Sequence, residues 1–516
     1  MQYHSKSIEV LHLVVLVKMA RIIKKNDLKK KLFKTKDLTL AHGVFDLLHI
    51  GHIRHLKYAK SFGKKLFVSL TGDKYVNKGP GKPYFNENQR LEFLSSLEFV
   101  DYVYINQDYT PIELIKLIKP KYYFKGSDYK DFKSDITGNI SKEEYEVKKY
   151  NGKMIFTDDI QFSSSQIIND FFLVSKPFEK LKKESINLKT IKDDLLSSFE
   201  KISKLNICIL GEVIFDHYKF CSELSKPSKE NIVAVKFEKE TKYCGGVLQI
   251  AKNLSSFVNS VEVISNGNFN NEQKKTISKN FEANKNINFK FFNKLKTITK
   301  TRYLSGTNKK LFECYNFGAG TESDKSKQFS NYLIKNLKKY DAVILADFGH
   351  GLIDNELVNI IEKESKFLAV NCQTNAENRG FNLITKYKKC DFVCLDRPEL
   401  DLATHDRKST IKDKIINLSQ KIKFKDIIIT LGGEGVSMYA KKKYFTLPAF
   451  ETKPLDTMGA GDAVLGISSL LARVNTKIES ICFISNLIGA EIVNFLGHEN
   501  YIKKNKILKS LLYTFK

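Results

Sequence analysis

Short runs of β-branched and aromatic residues alternate with amphipathic helical patterns in two separate stretches of this chain, and that alternation predicts parallel α/β architecture. The first stretch runs from about Leu38 to Phe172, with strands expected at LTLAH (38–42), KLFVSL (65–70), VDYVYI (100–105), KYYFKG (121–126) and KMIFT (153–157). The second runs from about Asn206 onward, with strands expected at NICILG (206–211), DAVILADFG (341–349), KFLAVN (366–371), DFVCL (391–395) and DIIITLG (426–432). Between Val174 and Leu205 the chain turns charged and loses strand character, which reads as a linker with one helix near its end. The Asn/Lys-rich segment Gly267–Asn293 predicts loops and surface helices. The expected division is an N-terminal extension (1–35), a first domain (36–173), a linker (174–205) and a second domain (206–516).

A length of 516 residues exceeds one ordinary core, and 42% hydrophobic residues can fill more than one. The net charge of +27, from 85 Lys plus Arg against 58 Asp plus Glu, raises the question of nucleic acid or an anionic membrane. The lysines are scattered, however, with only short runs such as Lys29–Lys31 and Lys441–Lys443, so a solvated basic surface is the simpler reading. Neither nucleic acid nor membrane is expected as a partner. Eight cysteines at irregular spacing, mostly inside apolar segments, suggest free thiols in a reducing cytoplasm. Cys390 and Cys394 have no second pair at metal-ligand spacing, and a strand core suits them better. The apolar run Leu11–Val17, broken by His12, is too short to span a bilayer and no cleavage pattern follows it; Met19 is a second candidate start.

The segment HGVFDLLHIGHIRHL (42–56) places a glycine-containing turn between an expected strand and a helix starting near Gly51. A helix N-terminus offers unpaired N–H groups and the positive end of the macrodipole, and so attracts anions. Gly43 and Gly51 remove Cβ atoms where a phosphate approaches backbone, and His49 and His52 can donate to phosphate oxygens. A metal would need three or four ligands, and only this histidine pair is at hand. His42 and His55 read more simply as a strand-end residue and a helix-surface residue.

With these residues in place, GVFDLLHIGH resembles the G-x-F-D-x-x-H-x-G-H signature of the nucleotidyltransferase superfamily. That superfamily includes glycerol-phosphate cytidylyltransferases and the adenylyltransferase domain of bifunctional ADP-heptose synthesis enzymes. TGDKYVNKGPGKP (71–83), NENQR (86–90), YFKGSDY (123–129) and SSSQII (163–168) follow in the order of that family's other motifs. The resemblance implies a Rossmann-like domain in which His49 and His52 contact the nucleotide phosphates. Lys78, Arg90 and Lys125 would engage triphosphate or sugar phosphate, and Ser163, Ser164 and Ser165 would hold the nucleotide. Gly43, Phe45, Asp46, Gly51 and Asp73 would line the same site. The implied chemistry is attack of a sugar-phosphate oxygen on the α-phosphorus of an NTP, ATP or CTP, with pyrophosphate leaving. Class I aminoacyl-tRNA synthetases share an H-x-G-H motif, but their lysine-rich K-M-S-K-S-like loop is missing from this sequence.

In the second domain, DTMGAGDAVLG (456–466) precedes an apolar helical pattern. Gly459, Ala460 and Gly461 at a helix start can aim N–H groups at a transferring phosphoryl group, and Asp462 in the first turn can take a proton from a hydroxyl. The spacing is neither a Walker loop nor a Rossmann fingerprint. The segment resembles the D-T-x-G-A-G-D signature of ribokinase-like (PfkB) sugar kinases. CGGVLQIAKNL (244–254), ILGEVIFDHY (209–218), TITKTRYL (297–304) and IITLGGEGV (428–436) resemble other segments of that family. The resemblance implies a ribokinase-like α/β domain with a small β lid, Asp462 as base and Gly459, Ala460 and Gly461 as anion hole. It further implies Asp216, Gly245, Gly246 and Asn253 at the sugar and Thr430 and Gly432 near ATP. Glu399, with Asp396 replacing an Asn, would help hold Mg²⁺.

Three departures stand out: Glu212 replaces the usual Asp, NCQTNAENRGFN (371–382) replaces a D-P-K stretch, and DRPE (396–399) replaces N-x-x-E. The chain therefore reads as a fused sugar nucleotidyltransferase and sugar kinase, similar to ADP-heptose synthesis enzymes with the domain order reversed. A homodimer through the lid is the family's implication. The alternative is a nucleotidyltransferase with a degenerate kinase half that senses sugar or dimerises.

Overall fold

The computed structural model describes residues 19–28, 37–78, 82–126, 139–157, 180–224 except 182, 232–292, 297–306, 309–317, 327–450, 454–497 and 501–514. The chain divides into two compact units, with the change between Leu173 and Val174.

The first unit is built on six strands: β1 (Arg21–Ile22), β2 (Leu38–Gly43), β3 (Lys65–Thr71), β4 (Tyr102–Asn106), β5 (Tyr122–Lys125) and β6 (Lys153–Phe156). They pair in the order β1-β4-β3-β2-β5-β6 and every pairing is parallel. The strands are near-continuous apolar runs because helices cover both faces. Leu56, Ala59 and Leu94 pack on one face, and Leu114, Ile115, Ile118 and Val147 on the other. The order reverses at β2, which has β3 on one side and β5 on the other. A crevice opens at the C-terminal ends of such strands.

Two boundaries differ from the sequence expectation. Residues 21–28, expected within an extension, supply β1 and buried Ile23 and Leu28, because the edge of β4 offers unpaired backbone groups that a two-residue strand satisfies. The helix Leu188–Ile202, expected within a linker, buries Ile191, Leu195, Phe199 and Ile202 in the core of the second unit.

The second unit carries β7 (Asn206–Gly211), β8 (Val213–Glu223), β9 (Val235–Gly246), β10 (Ser260–Asn266), β11 (Ile287–Phe292), β12 (Ile298–Leu304), β13 (Lys310–Phe317), β14 (Ala342–Asp347), β15 (Leu368–Cys372), β16 (Phe392–Asp396), β17 (Asp426–Thr430), β18 (Val436–Ala440) and β19 (Lys443–Leu447). Nine form one sheet in the order β11-β10-β7-β14-β15-β16-β17-β18-β19, parallel as far as β17. Alternation of period two sorts its side chains: Ile207 and Ile209 join one helix-covered core, Cys208 and Leu210 the other. Here the order reverses between β7 and β14.

The other four strands, in the order β13-β12-β8-β9, make the expected small β lid. The Asn/Lys-rich segment, expected as loops and helices, also contributes β11 to the main sheet, since Ile287, Phe289 and Phe291 supply an apolar face that packs on the core. All eight cysteines are free. Among the described residues no helix is long and apolar enough to cross a membrane.

Candidate active sites

In the first unit, β2 ends at Gly43 and the helix Ile50–Phe62 begins one turn later, at the reversal point of the sheet. Its N-cap is a histidine. His49 Nδ1 accepts from the Gly51 N–H at 3.1 Å, and His52 Nδ1 accepts from the His49 N–H at 3.4 Å. With both Nδ1 atoms accepting, each neutral ring carries its proton on Nε2 and presents it as a donor. Burial lowers both imidazole pKa values below the ordinary value, with Lys78 adding repulsion at His49, and His49, Lys78 and His55 adding it at His52. His49 Nε2 is buried and, among the described residues, has no hydrogen-bond partner. Phe45, in a left-handed conformation (φ 52°), lays its ring edge to face against His52 at 5.6 Å.

Several residues expected to touch ligand are engaged elsewhere. Arg90 has no exposed surface: it donates to the carbonyls of Phe85, Val44 and Thr71 at 3.0, 2.5 and 2.8 Å and to Asp73 at 2.6 Å. Expected as a phosphate ligand, Arg90 here braces the fold, because four of its five N–H donors tie the loops after β2 and β3 together. Asp73 also accepts from the Glu87 N–H, while Glu87 accepts from the Asp73 N–H. Asp46 accepts from the backbone N–H groups of Tyr84 and Phe85 at 2.8 and 3.0 Å and so fixes the loop 82–86 beside the histidine turn. Lys125 pairs with buried Glu143 at 2.8 Å. His42 Nδ1 lies 3.1 Å from the Ser69 hydroxyl at the strand end. His55 is no plain surface residue, since its ring meets Thr157 Oγ1 at 3.0 Å. Ser163, Ser164 and Ser165 lie outside the described residues. One group escaped sequence reasoning: Lys82, in the loop that Asp46 fixes, has a buried ammonium with no partner among the described residues. No motif position singles it out from its neighbours.

In the second unit, the helix Ala460–Arg473 starts at Gly459, whose φ of 76° turns the chain into the helix. A Cβ on Gly461 would meet nothing within 4 Å, so its backbone faces open space. Asp462 stands in the first turn and interacts electrostatically with Lys300 of the lid and with Glu399. Asp456 anchors the same turn, accepting from Lys310 at 2.9 Å, Tyr218 at 3.2 Å and the Gly497 N–H at 2.9 Å. Asp216 of β8, 3% exposed, is ion-paired to Arg302 of β12, which also donates to Glu313 at 2.9 Å. Burial lowers the Lys300 pKa, with Asp216 opposing. Lys300 joins Asp216 and Asp462 electrostatically and is a second residue sequence reasoning missed, although it lay in a segment already noted. Gly245 and Gly246 end β9, and a Cβ on Gly246 would stand 2.5 Å from the Glu212 carbonyl. Asn253 spends its Oδ1 on the Ile502 N–H at 3.0 Å. Gln249, buried one turn nearer the glycine pair, was not singled out. Thr430 and Gly432 sit together at the end of β17, with open space around Gly432.

The departures have structural accounts. Glu212 follows β7 and its longer carboxylate accepts from the N–H groups of Phe348, His350 and Leu352 at 3.1, 3.1 and 3.4 Å, holding the loop after β14. Asn375, Asn378 and Asn382 donate to the carbonyls of Phe348, Phe348 and Asp347 at 2.8, 2.9 and 3.1 Å, so the Asn-rich stretch braces that loop from the other side. Glu399 closes a capping box with Asp396 and accepts from the Thr374 N–H at 3.1 Å. Burial, then Asp396, push the Glu399 carboxyl up to about 8. Among the described residues no three His, Cys, Asp or Glu side chains are grouped as a metal site. Glu399 does interact electrostatically with Asp396 and Asp462, and a divalent cation brought with a nucleotide would relieve that like-charge repulsion.

Each of the two parallel α/β units thus carries a helix N-terminus whose N–H groups suit an anion. The chain belongs to the pfkB family of carbohydrate kinases, which residues 204–502 match, and residues 40–170 match the cytidylyltransferase-like family. Bifunctional protein HldE of Aliarcobacter butzleri is 41% identical over 117 residues, covering 22% of this chain and 24% of the relative. HldE of Sulfurimonas denitrificans is 42% identical over 120 residues, covering 23% and 25%. The chain thus spans about a quarter of the length of these curated relatives. Phosphofructokinase-2 from Escherichia coli in complex with fructose-6-phosphate aligns over 60% of this chain and all of its own at 14% identity and a TM-score of 0.47.

Proposed function

We propose that the chain is a bifunctional enzyme that phosphorylates a sugar phosphate in its second unit and transfers a nucleotidyl group to a sugar 1-phosphate in its first, yielding a nucleotide-activated sugar. A heptose is the substrate that the resemblance to ADP-heptose synthesis enzymes implies, and cell-surface polysaccharide the destination. The observation that carries this reading is the presence, on one chain, of the His49–His52 helix start and the Gly459–Asp462 helix start, each in its own parallel α/β unit.

In the kinase unit, Asp462 takes the proton of the attacking hydroxyl. The N–H groups of Gly459 to Gly461 receive the charge that develops on the transferring phosphoryl group. Asp216, Gly245 and Gly246 orient the sugar, and Thr430 and Gly432 flank the nucleotide. Mg²⁺, held near Glu399 and Asp396, would supply charge neutralisation at the phosphates. In the nucleotidyltransferase unit, His49 and His52 donate through Nε2 to phosphate oxygens, with Lys78 nearby. No covalent nucleophile is needed, since positioning and charge stabilisation suffice for in-line attack at the α-phosphorus. Free thiols suit a cytoplasmic enzyme. Lid residues Phe237 and Phe312, 56% and 45% exposed, suit a homodimer through the lid.

A degenerate kinase half would bind sugar without turning over ATP. The intact Asp462 turn weighs against it. The test is a pair of substitutions assayed for both activities. Asp462→Asn is expected to abolish ATP consumption with sugar phosphate and leave pyrophosphate release from NTP plus sugar 1-phosphate intact; His52→Ala is expected to do the reverse. Loss of both activities from either change would defeat the two-site reading. A panel of four NTPs against several sugar 1-phosphates identifies the nucleotide.

A further inference from the structure

Among the buried side-chain atoms of the nucleotidyltransferase unit that nothing described satisfies are two nitrogen donors, His49 Nε2 and Lys82 Nζ. An unsatisfied buried amine is costly, and a ligand that completes its hydrogen bonds removes the cost. Both belong to one place. The loop that carries Lys82 is pinned by Asp46, which accepts from Tyr84 and Phe85 two and three residues further on, and Asp46 itself stands three residues before His49. Lys78 interacts electrostatically with both His49 and Lys82. Burial pulls the Lys82 ammonium down to about 8; Asp46 opposes that shift and Lys78 reinforces it. His49 and His52, the other titratable groups here, are neutral donors.

We infer that Lys82 is a phosphate ligand of this site, placed to take the β,γ-diphosphate of the NTP and the pyrophosphate it becomes. This rests on the nucleotidyltransferase reading above. In that reaction a bond forms between the sugar-phosphate oxygen and the α-phosphorus while the bond from the α-phosphorus to the bridging oxygen breaks. Pyrophosphate leaves with the electron pair. The largest build-up of negative charge is on that leaving group, and Lys82 with Lys78 supplies the concentrated positive charge that neutral imidazoles lack.

Inorganic pyrophosphate titrated calorimetrically into the full-length chain tests this. At pH 7, Lys82→Met is expected to weaken binding about tenfold or more, the loss of one charge-assisted contact, and Lys82→Arg to retain most of it. Between pH 7 and 9 a lysine titrating near 8 loses its proton whereas a guanidinium does not. Wild-type affinity is therefore expected to fall more steeply than that of Lys82→Arg, a comparison in which the titration of pyrophosphate itself cancels. Unchanged binding in a folded Lys82→Met, or superimposable pH curves for wild type and Lys82→Arg, would overturn the inference. If Lys82→Met does not fold, the pH comparison alone decides. Wild-type turnover separates the two claims: Lys82-dependent pyrophosphate binding without any NTP turnover leaves this ligand standing and defeats the nucleotidyltransferase reading. Turnover with binding indifferent to Lys82 does the opposite.

Discussion

Arg90 shows how a basic side chain beside a candidate phosphate site can serve the fold. Its guanidinium holds three carbonyls and Asp73 with no exposure to solvent, so removing it strands buried acceptors and a carboxylate. Arg90→Met is expected to destabilise the first unit by about 3–5 kcal/mol, seen as an earlier transition in denaturant; a loss of affinity for nucleotide with unchanged stability would contradict the brace. Glu212 makes a second residue-scale prediction. Burial raises its carboxyl from 4.5 to about 7, with Asp347 adding repulsion. A carboxyl with a raised folded value keeps its proton in the folded chain after the unfolded chain has lost it. Its contribution therefore makes stability fall as pH rises from 4.5 to about 7 and level off above. Glu212→Gln keeps an acceptor for the loop 348–352 and removes the titration. The gap between wild type and variant in urea unfolding should change by roughly 1–3 kcal/mol across that range; parallel curves would refute the account.

At the scale of elements, the helix Leu188–Ile202 carries the clearest lesson. Its sequence, charged and lacking strand character, reads as linker, yet Ile191, Leu195, Phe199 and Ile202 recur at helical spacing and all four are buried. At roughly 1.5–3 kcal/mol for each buried apolar side chain, their removal rivals the stability of a whole domain. A chain beginning at Asn206 is expected to be insoluble or molten, whereas one beginning near Lys180 folds; cooperative unfolding of the shorter piece would contradict this. The helix starts behaved differently. The strand–turn–helix at 38–62 and the glycine-led helix at 460–473 stand where hydrophobic period and glycine placement put them. The lid strands and β11 were less legible, because strands covered on one face only carry polar residues at alternate positions and resemble loops.

At the scale of the whole molecule, the two units have separate cores, and the two activities are expected to survive separation. A piece ending near Leu173 should release pyrophosphate and a piece from Lys180 onward should consume ATP, each near the intact chain's rate; inactivity of both soluble pieces would show that the units depend on each other.

Sequence by itself determined the parallel α/β class of both units and the helix starts that offer N–H groups to anions, because strand period, helical period and glycine placement are local. Tertiary structure decided which polar residues are free to meet a ligand. Arg90, Asp46, Asp73 and Lys125 are spent on partners far away in sequence, and the Asn-rich stretch on the loop after β14. Lys82, in contrast, was left buried and unpartnered among the described residues. A hydrogen-bond partner supplied by a distant segment leaves no periodic trace in the chain, so residue type announces a capacity to bind and only packing shows where that capacity has been used.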